Sequence, residues 1–217
     1  MKMKTLLSTA VLTLSMSSTA VIAGDLKVKI TRDIASVDVM HNGKKVTIQR
    51  NQNNKNNVDP RFAKTSRNCP PFCINPMVLA PGVETLGEVE VLDYLKKMSD
   101  GDKSILVVDS RTPNWVKAGT IPGAKNIPWT KLSVKKGADP LSIAEIVTGE
   151  FGAREKDDDS FDYSKAKTLV LFCNGMWCGQ SPNNIRTLLK MGYPANKIKW
   201  YRGGMQNWEN LGFTTVK

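Results

Sequence analysis

Apolar and polar residues alternate in two short runs near the start of the chain. Val37-Asp38-Val39-Met40-His41 is followed by Asn42-Gly43, and then by Lys44-Lys45-Val46-Thr47-Ile48. Two period-two runs joined by Asn-Gly predict a β-hairpin within residues 26–50, because both turn residues tolerate positive φ. His41 flanks the turn and reads as an exposed side chain. A hairpin of this size cannot keep a core of its own, so it should pack on the larger C-terminal part of the chain. Residues 49–68 are polar, with Asn51, Asn53, Asn54, Asn56 and Asn57, and read as an extended linker. Cys69-Pro70-Pro71-Phe72-Cys73 comes next, and its two prolines exclude a regular helix.

Beyond Pro81-Gly82 the period lengthens. Val83, Leu86, Val89, Leu92 and Leu95 recur at helical spacing, with Glu84, Glu88, Glu90 and Lys96 between them. Strands and helices then alternate. Residues 105–108 form a short apolar run suited to a buried parallel strand, and residues 124–129 a second. Residues 140–151 read as helix with Ile143, Ile146 and Val147 on one side. Residues 169–172 are the clearest strand in the chain. A helix over 181–191 turns Ile185, Leu188 and Leu189 inward. A strand over 198–201 and a short helix over 205–211 come last, the helix after Gly203-Gly204. This alternation predicts an α/β fold built on a parallel sheet. Asp157-Asp158-Asp159 falls in a polar connection and reads as a solvated loop.

The first residues assign a compartment. Met1 to Lys4 is short and basic, residues 6–23 are apolar but diluted by hydroxyls, and Val21-Ile22-Ala23 suits a signal peptidase. Residues 1–23 are therefore expected to be a secretory signal, with an uncleaved anchor as the alternative. The many hydroxyls weaken a stable span. The expected mature chain starts at Gly24 and is periplasmic or secreted, and no later stretch is apolar enough to cross a bilayer. Losing Lys2 and Lys4 leaves 29 basic against 20 acidic residues, a net +9. That balance favours small anions or acidic surfaces. The basic residues are scattered rather than blocked, which gives no indication of nucleic acid.

Hydrophobic residues make up 41% and charged residues 24%, an ordinary globular composition. A single histidine excludes a multi-histidine metal centre, and no cofactor is called for. The four cysteines form two close pairs, Cys69/Cys73 and Cys173/Cys178. Export would permit disulfides, and three pairings are open.

Ligands of open parallel sheets bind beyond the carboxyl ends of the strands. Two predicted strand ends carry chemistry. One is Val108-Asp109-Ser110-Arg111. The other is Phe172-Cys173, followed by the loop Asn174, Gly175, Met176, Trp177, Cys178 and Gly179, and then a helix. A glycine-containing loop can curl its N–H groups inward. With the helix dipole, these would stabilise an anion at Cys173, lower its pKa and enrich the nucleophilic thiolate. The arrangement needs no histidine. It does require that the sulfur be ionised and reachable from outside. The alternative is a structural Cys173–Cys178 disulfide closing the loop.

The segment ILVVDSRTPNWVKAGTIPGAKNIPW resembles the first signature of the rhodanese family, and IKWYRGGMQNWENLGF resembles the closing one. TLVLFCNGMWCGQS stands where the active-site loop would be. The resemblance implies a rhodanese-like domain over residues 81–217, a parallel sheet flanked by helices. It leaves residues 24–50 as a β-hairpin extension and residues 51–80 as a polar linker carrying the CPPFC loop. It implies a sulfurtransferase in which Cys173 takes a sulfane sulfur from a small anion such as thiosulfate. The resulting persulfide would pass to a thiophilic acceptor, such as a low-molecular-weight thiol. Loop amides would hold the anionic terminal sulfur. Asp109 and Arg111 are implied to organise the site by pairing, Gly203 and Gly204 to form a tight turn, and Trp208 to pack in the core.

The sequence departs from that family in three features of the loop. Ser181 lies two residues later than in the common loop, and no Arg or Lys stands between Cys173 and Arg186. The missing guanidinium disfavours a related phosphatase chemistry. Cys178 is the other departure. Close to Cys173, it could attack a persulfide or sulfenate there, making the site a sulfur relay or redox switch served by a periplasmic redox protein. Cys69 and Cys73 are expected to form a structural bridge, with a second redox pair, a docking loop and a four-cysteine zinc site as alternatives. A non-catalytic binding domain with an inert loop is the remaining reading.

Overall fold

The computed structural model describes residues 26–217 apart from residue 159. The expected leader, residues 1–23, lies outside them, as does the last aspartate of the acidic triplet. The hairpin is β1 (Ser36–His41) and β2 (Lys44–Gln49), antiparallel, with Val39 opposite Val46. The chain then passes without regular structure to β3 (Glu84–Leu86), α1 (Glu88–Ser99), β4 (Ile105–Asp109), α2 (Pro113–Val116) and β5 (Lys125–Asn126). After 3₁₀ turns come α3 (Pro140–Glu145), a small ribbon of β6 (Arg154–Glu155) and β7 (Phe161–Asp162), and β8 (Thr168–Phe172). The chain closes with α4 (Gln180–Lys190), β9 (Ile198–Tyr201) and α5 (Gly204–Asn210).

Five strands form one sheet in the order β3-β9-β8-β4-β5, every pairing parallel. Strand β8 is central, and strict alternation sends its side chains to two cores. Leu169 and Leu171 join Leu106 and Val108 on the face covered by α3 and α4. Val170 and Phe172 join Val107 on the face covered by α1 and α5. Both faces are buried, so the central strands read as continuous apolar runs.

The hairpin packs on the α1 face as expected. Val39 and Ile48 enter that core, and the Met40 N–H donates to Ser99 Oγ at 2.9 Å. His41 departs from the exposed side chain expected of it. It is half-buried, and its Nδ1 accepts from the Gly123 N–H at 3.0 Å, fastening the hairpin to the main domain. Burial lowers its pKa.

Three element readings are corrected. The helix expected from Val83 starts only at Glu88. Residues Glu84–Leu86 pair with β9 instead, and Gly87 starts the helix with its N–H donating to the Glu90 carboxylate at 3.1 Å. An open sheet edge outbids helical spacing that is ambiguous over three residues. The strand expected over 124–129 shrinks to Lys125–Asn126, because Pro128 ends the ladder and a 3₁₀ turn begins at Trp129. The helix expected over 140–151 is α-helical only to Glu145 and widens into a π-turn over Ile146–Glu150.

The segment 51–80 has no regular elements, yet it lies against the domain. Phe62 is buried in the α1-face core, and the Asn51 N–H donates to the Gly212 carbonyl. Its later part reaches the loop after β8. Among the described residues, no helix is long and apolar enough to cross a membrane.

Candidate active site

Cys173 directly follows β8, between the ends of β4 and β9. Phe172 pairs with Asp109 on one side and Tyr201 on the other. The Cys173 carbonyl is held from below by α5, whose Met205 N–H donates to it at 2.9 Å. The Gln206 N–H donates to the Asn174 carbonyl at the same distance. This approach requires Gly204, which has φ +54° and whose Cβ, if present, would stand 2.3 Å from the Cys173 carbonyl oxygen. The Gly203-Gly204 turn is thus what seats the loop, and Trp208 of α5 is fully buried as expected.

The loop is shaped around two sulfurs. Gly175 has φ +157°, and its carbonyl accepts from the Cys178 N–H at 2.8 Å. The N–H groups of Ser181 and Gly175 help to lower the Cys173 thiol. Those of Gln180 and Asn174 act in the same direction on Cys178. Ser181, in the first turn of α4, adds a hydroxyl that donates to Cys173 Sγ at 3.1 Å. That hydroxyl accepts in turn from the Trp200 indole N–H at 3.2 Å.

Both thiols are free and buried in one small cluster with Trp177. Burial pushes the Cys173 thiol up. Hydrogen bonds from the Cys178 thiol, from the Ser181 hydroxyl and N–H, and from the Gly175 N–H outweigh it and bring Cys173 down to about 7. Cys178 goes the other way, raised by burial and by the Cys173 anion beside it. Cys173 is thus the more readily ionised of the two thiols.

The sequence reading requires a reachable Cys173, and here it is corrected: the residue is 2% exposed. The cover comes from the segment before β3. Cys69 and Cys73 are bridged to each other, so the four cysteines do not make one tetrahedral zinc set. Phe72, inside the bridge, meets Trp177 edge-on at 5.8 Å, and the Arg67 guanidinium stacks over the same ring at 3.7 Å. The Asn75 N–H donates to the Met176 carbonyl at 2.8 Å. Its side-chain amide donates to the carbonyls of Met176 and Cys178, at 3.0 and 3.2 Å. Arg202, at the end of β9, holds the Asn75 carbonyl with two N–H groups. Gln206 accepts from the Trp177 indole.

Asp109 and Arg111 pair as expected but do not touch the loop sulfurs. Arg111 is fully buried and donates to both oxygens of Asp109, with Nη2 also donating to the Gly119 carbonyl at 2.7 Å. Thr120 completes the group by donating to Asp109 at 2.7 Å. The pair ties the end of β4 to the turn before Ile121, while the Ser110 N–H donates to the Phe172 carbonyl. Gly179 accepts from the Asn183 N–H and starts α4. A separate cavity of about 760 Å³ runs along the outer side of α4, between Leu141 and Arg186, and includes neither thiol.

Residues 91–211 match the rhodanese-like domain. The chain belongs to that family. Its sheet, the flanking helices and the cysteine at the end of β8 make up a rhodanese fold, extended at the N-terminus by the hairpin. Three solved structures illustrate the likeness. One is a Rhodopseudomonas palustris protein of unknown function, described as a possible tyrosine phosphatase. It is 21% identical over 64% of this chain and 88% of that one, with a TM-score of 0.44. A human single-domain sulfurtransferase is 19% identical over 59% and 96%, with a TM-score of 0.35. A rhodanese-like domain from Anabaena sp. is 14% identical over 63% and 80%, with a TM-score of 0.38. Likenesses of this degree say nothing of substrate. No curated protein matches the sequence.

Within this rhodanese-like domain and the segment before it, several site residues were not singled out from the sequence. Ser181 reads only as a helix start, although a hydroxyl in the first turn after a cysteine loop is itself a signal. Trp200, Gln206, Arg202, Arg67 and Asn75 carry no local signal and meet the loop only through the fold.

Proposed function

We propose that this protein is an exported sulfurtransferase that carries sulfane sulfur on Cys173. The single observation behind this reading is a free thiol at the end of β8 that accepts a hydrogen bond from the Ser181 hydroxyl at 3.1 Å, an arrangement that lowers its pKa. A thiolate at neutral pH is the species that attacks sulfur. With thiosulfate, the Cys173 thiolate attacks the outer sulfur. The Sγ–S bond forms, the S–S bond of the donor breaks, and sulfite leaves with that bond's electron pair. The N–H groups of Gly175 and Ser181 and the Ser181 hydroxyl hold the sulfur anion before attack, in place of a loop cation. A low-molecular-weight thiol or a periplasmic redox protein would take the sulfur onward. Export rests on the basic and apolar first residues.

Burial of Cys173 favours a second reading, a rhodanese-fold binding domain whose thiol does no chemistry. One measurement separates the two. Under the first reading, thiosulfate or a persulfide donor adds the mass of one sulfur to the peptide holding Cys173, and Cys173→Ser abolishes sulfur transfer. No added sulfur at any donor concentration would leave the binding domain.

A further inference from the structure

We infer that Cys178 is a resolving thiol: it attacks the Cys173 persulfide at Sγ, expels the carried sulfur as hydrosulfide and leaves a Cys173–Cys178 disulfide. This rests on the sulfur-transfer reading and adds a reductive second half to it.

Three observations carry the inference. The first is partition of the cysteines. With Cys69 and Cys73 already bridged, Cys173 and Cys178 are the remaining pair, both free and packed in one cluster. The second is the nest around them. The Ser181 hydroxyl donates to Cys173 Sγ at 3.1 Å, that sulfur lies 3.5 Å from the Cys178 carbonyl oxygen, and backbone N–H groups of the loop favour the anion at either sulfur. A sulfur that only filled space would not need anion donors. The third is the cover. Trp177 lies under Arg67 and Phe72, and Asn75 pins the carbonyls on both sides of Trp177. A persulfide formed when the loop admits a donor and enclosed afterwards is shielded from outside acceptors. The nearest thiol is then Cys178, held in place before the reaction.

The ionisation of the pair sets the order. In the resting site Cys173 ionises more readily than Cys178, so the donor's sulfur goes to Cys173. Persulfide formation moves the negative charge from Sγ to the terminal sulfur. The anion that held Cys178 protonated is then displaced outward, and the N–H groups of Gln180 and Asn174 remain to stabilise the negative charge that develops on Cys178 as its proton leaves. In the second step the Cys178 sulfur bonds to Cys173 Sγ, the Sγ–terminal sulfur bond breaks, and the Cys178 proton passes to the leaving sulfide. The terminal sulfur gains two electrons and the two cysteine sulfurs lose one each. An external dithiol reductant then restores both thiols by exchange.

The test uses the full chain with the Cys69–Cys73 bridge intact and the other two thiols free, mixed anaerobically with thiosulfate or glutathione persulfide and no reductant. Wild type should release about one hydrosulfide per chain and show a disulfide joining the Cys173 and Cys178 peptides. Cys178→Ser and Cys178→Ala should keep a stable persulfide on Cys173 and release almost none. Wild type that holds the persulfide on Cys173 as long as the variants do would overturn the inference, as would the added sulfur appearing on Cys178. If neither wild type nor variants take up sulfur, the sulfur-transfer reading fails and this step with it. If the variants load and wild type gives no disulfide, only the resolving role fails. Should both variants misfold, the wild-type hydrosulfide yield and peptide map decide alone.

Discussion

Ser181 Oγ donates to Cys173 Sγ at 3.1 Å while it accepts from Trp200 Nε1 at 3.2 Å. The relay sets an indole N–H from β9 behind a hydroxyl from α4 and aims both at a sulfur after β8. It supplies donor density to a loop without a cation, through neutral groups that cost less to bury than a guanidinium.

Removing the hydroxyl should weaken the thiolate. Ser181→Ala is expected to slow alkylation of Cys173 at pH 7 roughly tenfold, the scale of one hydrogen bond to a charged group. Ser181→Thr should restore most of the rate. Equal rates in wild type and Ser181→Ala would remove Ser181 from the site.

Reactivity at Cys173 should follow its own ionisation. Its pKa is lowered to about 7, so the thiolate predominates above that pH and is lost below it. Alkylation and sulfur uptake should rise as the pH is raised through about 7, then level off well before the usual thiol range near 8.5. A rise centred near the ordinary thiol value would show that the hydrogen bonds do not outweigh burial.

Asn75 should act as a latch. Its side-chain amide binds the Met176 and Cys178 carbonyls, and its N–H binds Met176 again. Asn75→Ala loses the side-chain bonds, each worth about 1 kcal/mol, so Cys173 labelling should speed up by roughly tenfold or more. The global denaturation midpoint should move much less. Unchanged labelling would mean that access does not pass through this segment.

A side chain at position 204 should unseat the loop. Gly204→Ala combines positive φ with a Cβ driven into the Cys173 carbonyl. A loss of at least about 2 kcal/mol in urea denaturation is expected, with reduced labelling of Cys173. A variant as stable as wild type would contradict the close approach.

Arg111→Met leaves Asp109 buried without its partner and should cost about 3–5 kcal/mol of stability. The pair makes no contact with the sulfurs, so the pH dependence of Cys173 labelling should stay in place in the folded variant. A displaced profile would give Asp109 and Arg111 a direct hold on the site.

The legibility of the site divides by range. The hairpin, β4, β8, β9, α4 and α5 follow from periodicity and turn residues, since each depends on a few neighbouring positions. Elements settled by distant partners are less legible. β3 is a strand only because β9 offers an edge, and β5 is short because Pro128 stops its ladder. Cys173 is legible because a thiol between a strand and a helix is a local signature. Its cover is not. Segment 51–80 resembles a linker in composition, yet Arg67, Phe72 and Asn75 meet the loop across more than 100 residues of chain.

Period, turn chemistry and spacing act over short stretches of chain, and they mark out the parallel α/β domain, the place of Cys173 in it and the second thiol five residues on. The fold settled that the Ser181 hydroxyl reaches Cys173, that Cys173 is the more readily ionised thiol, and that the pair lies beneath a bridged strap. Those outcomes depend on hydrogen bonds and burial between segments far apart in sequence, which exist only once the sheet has brought them together.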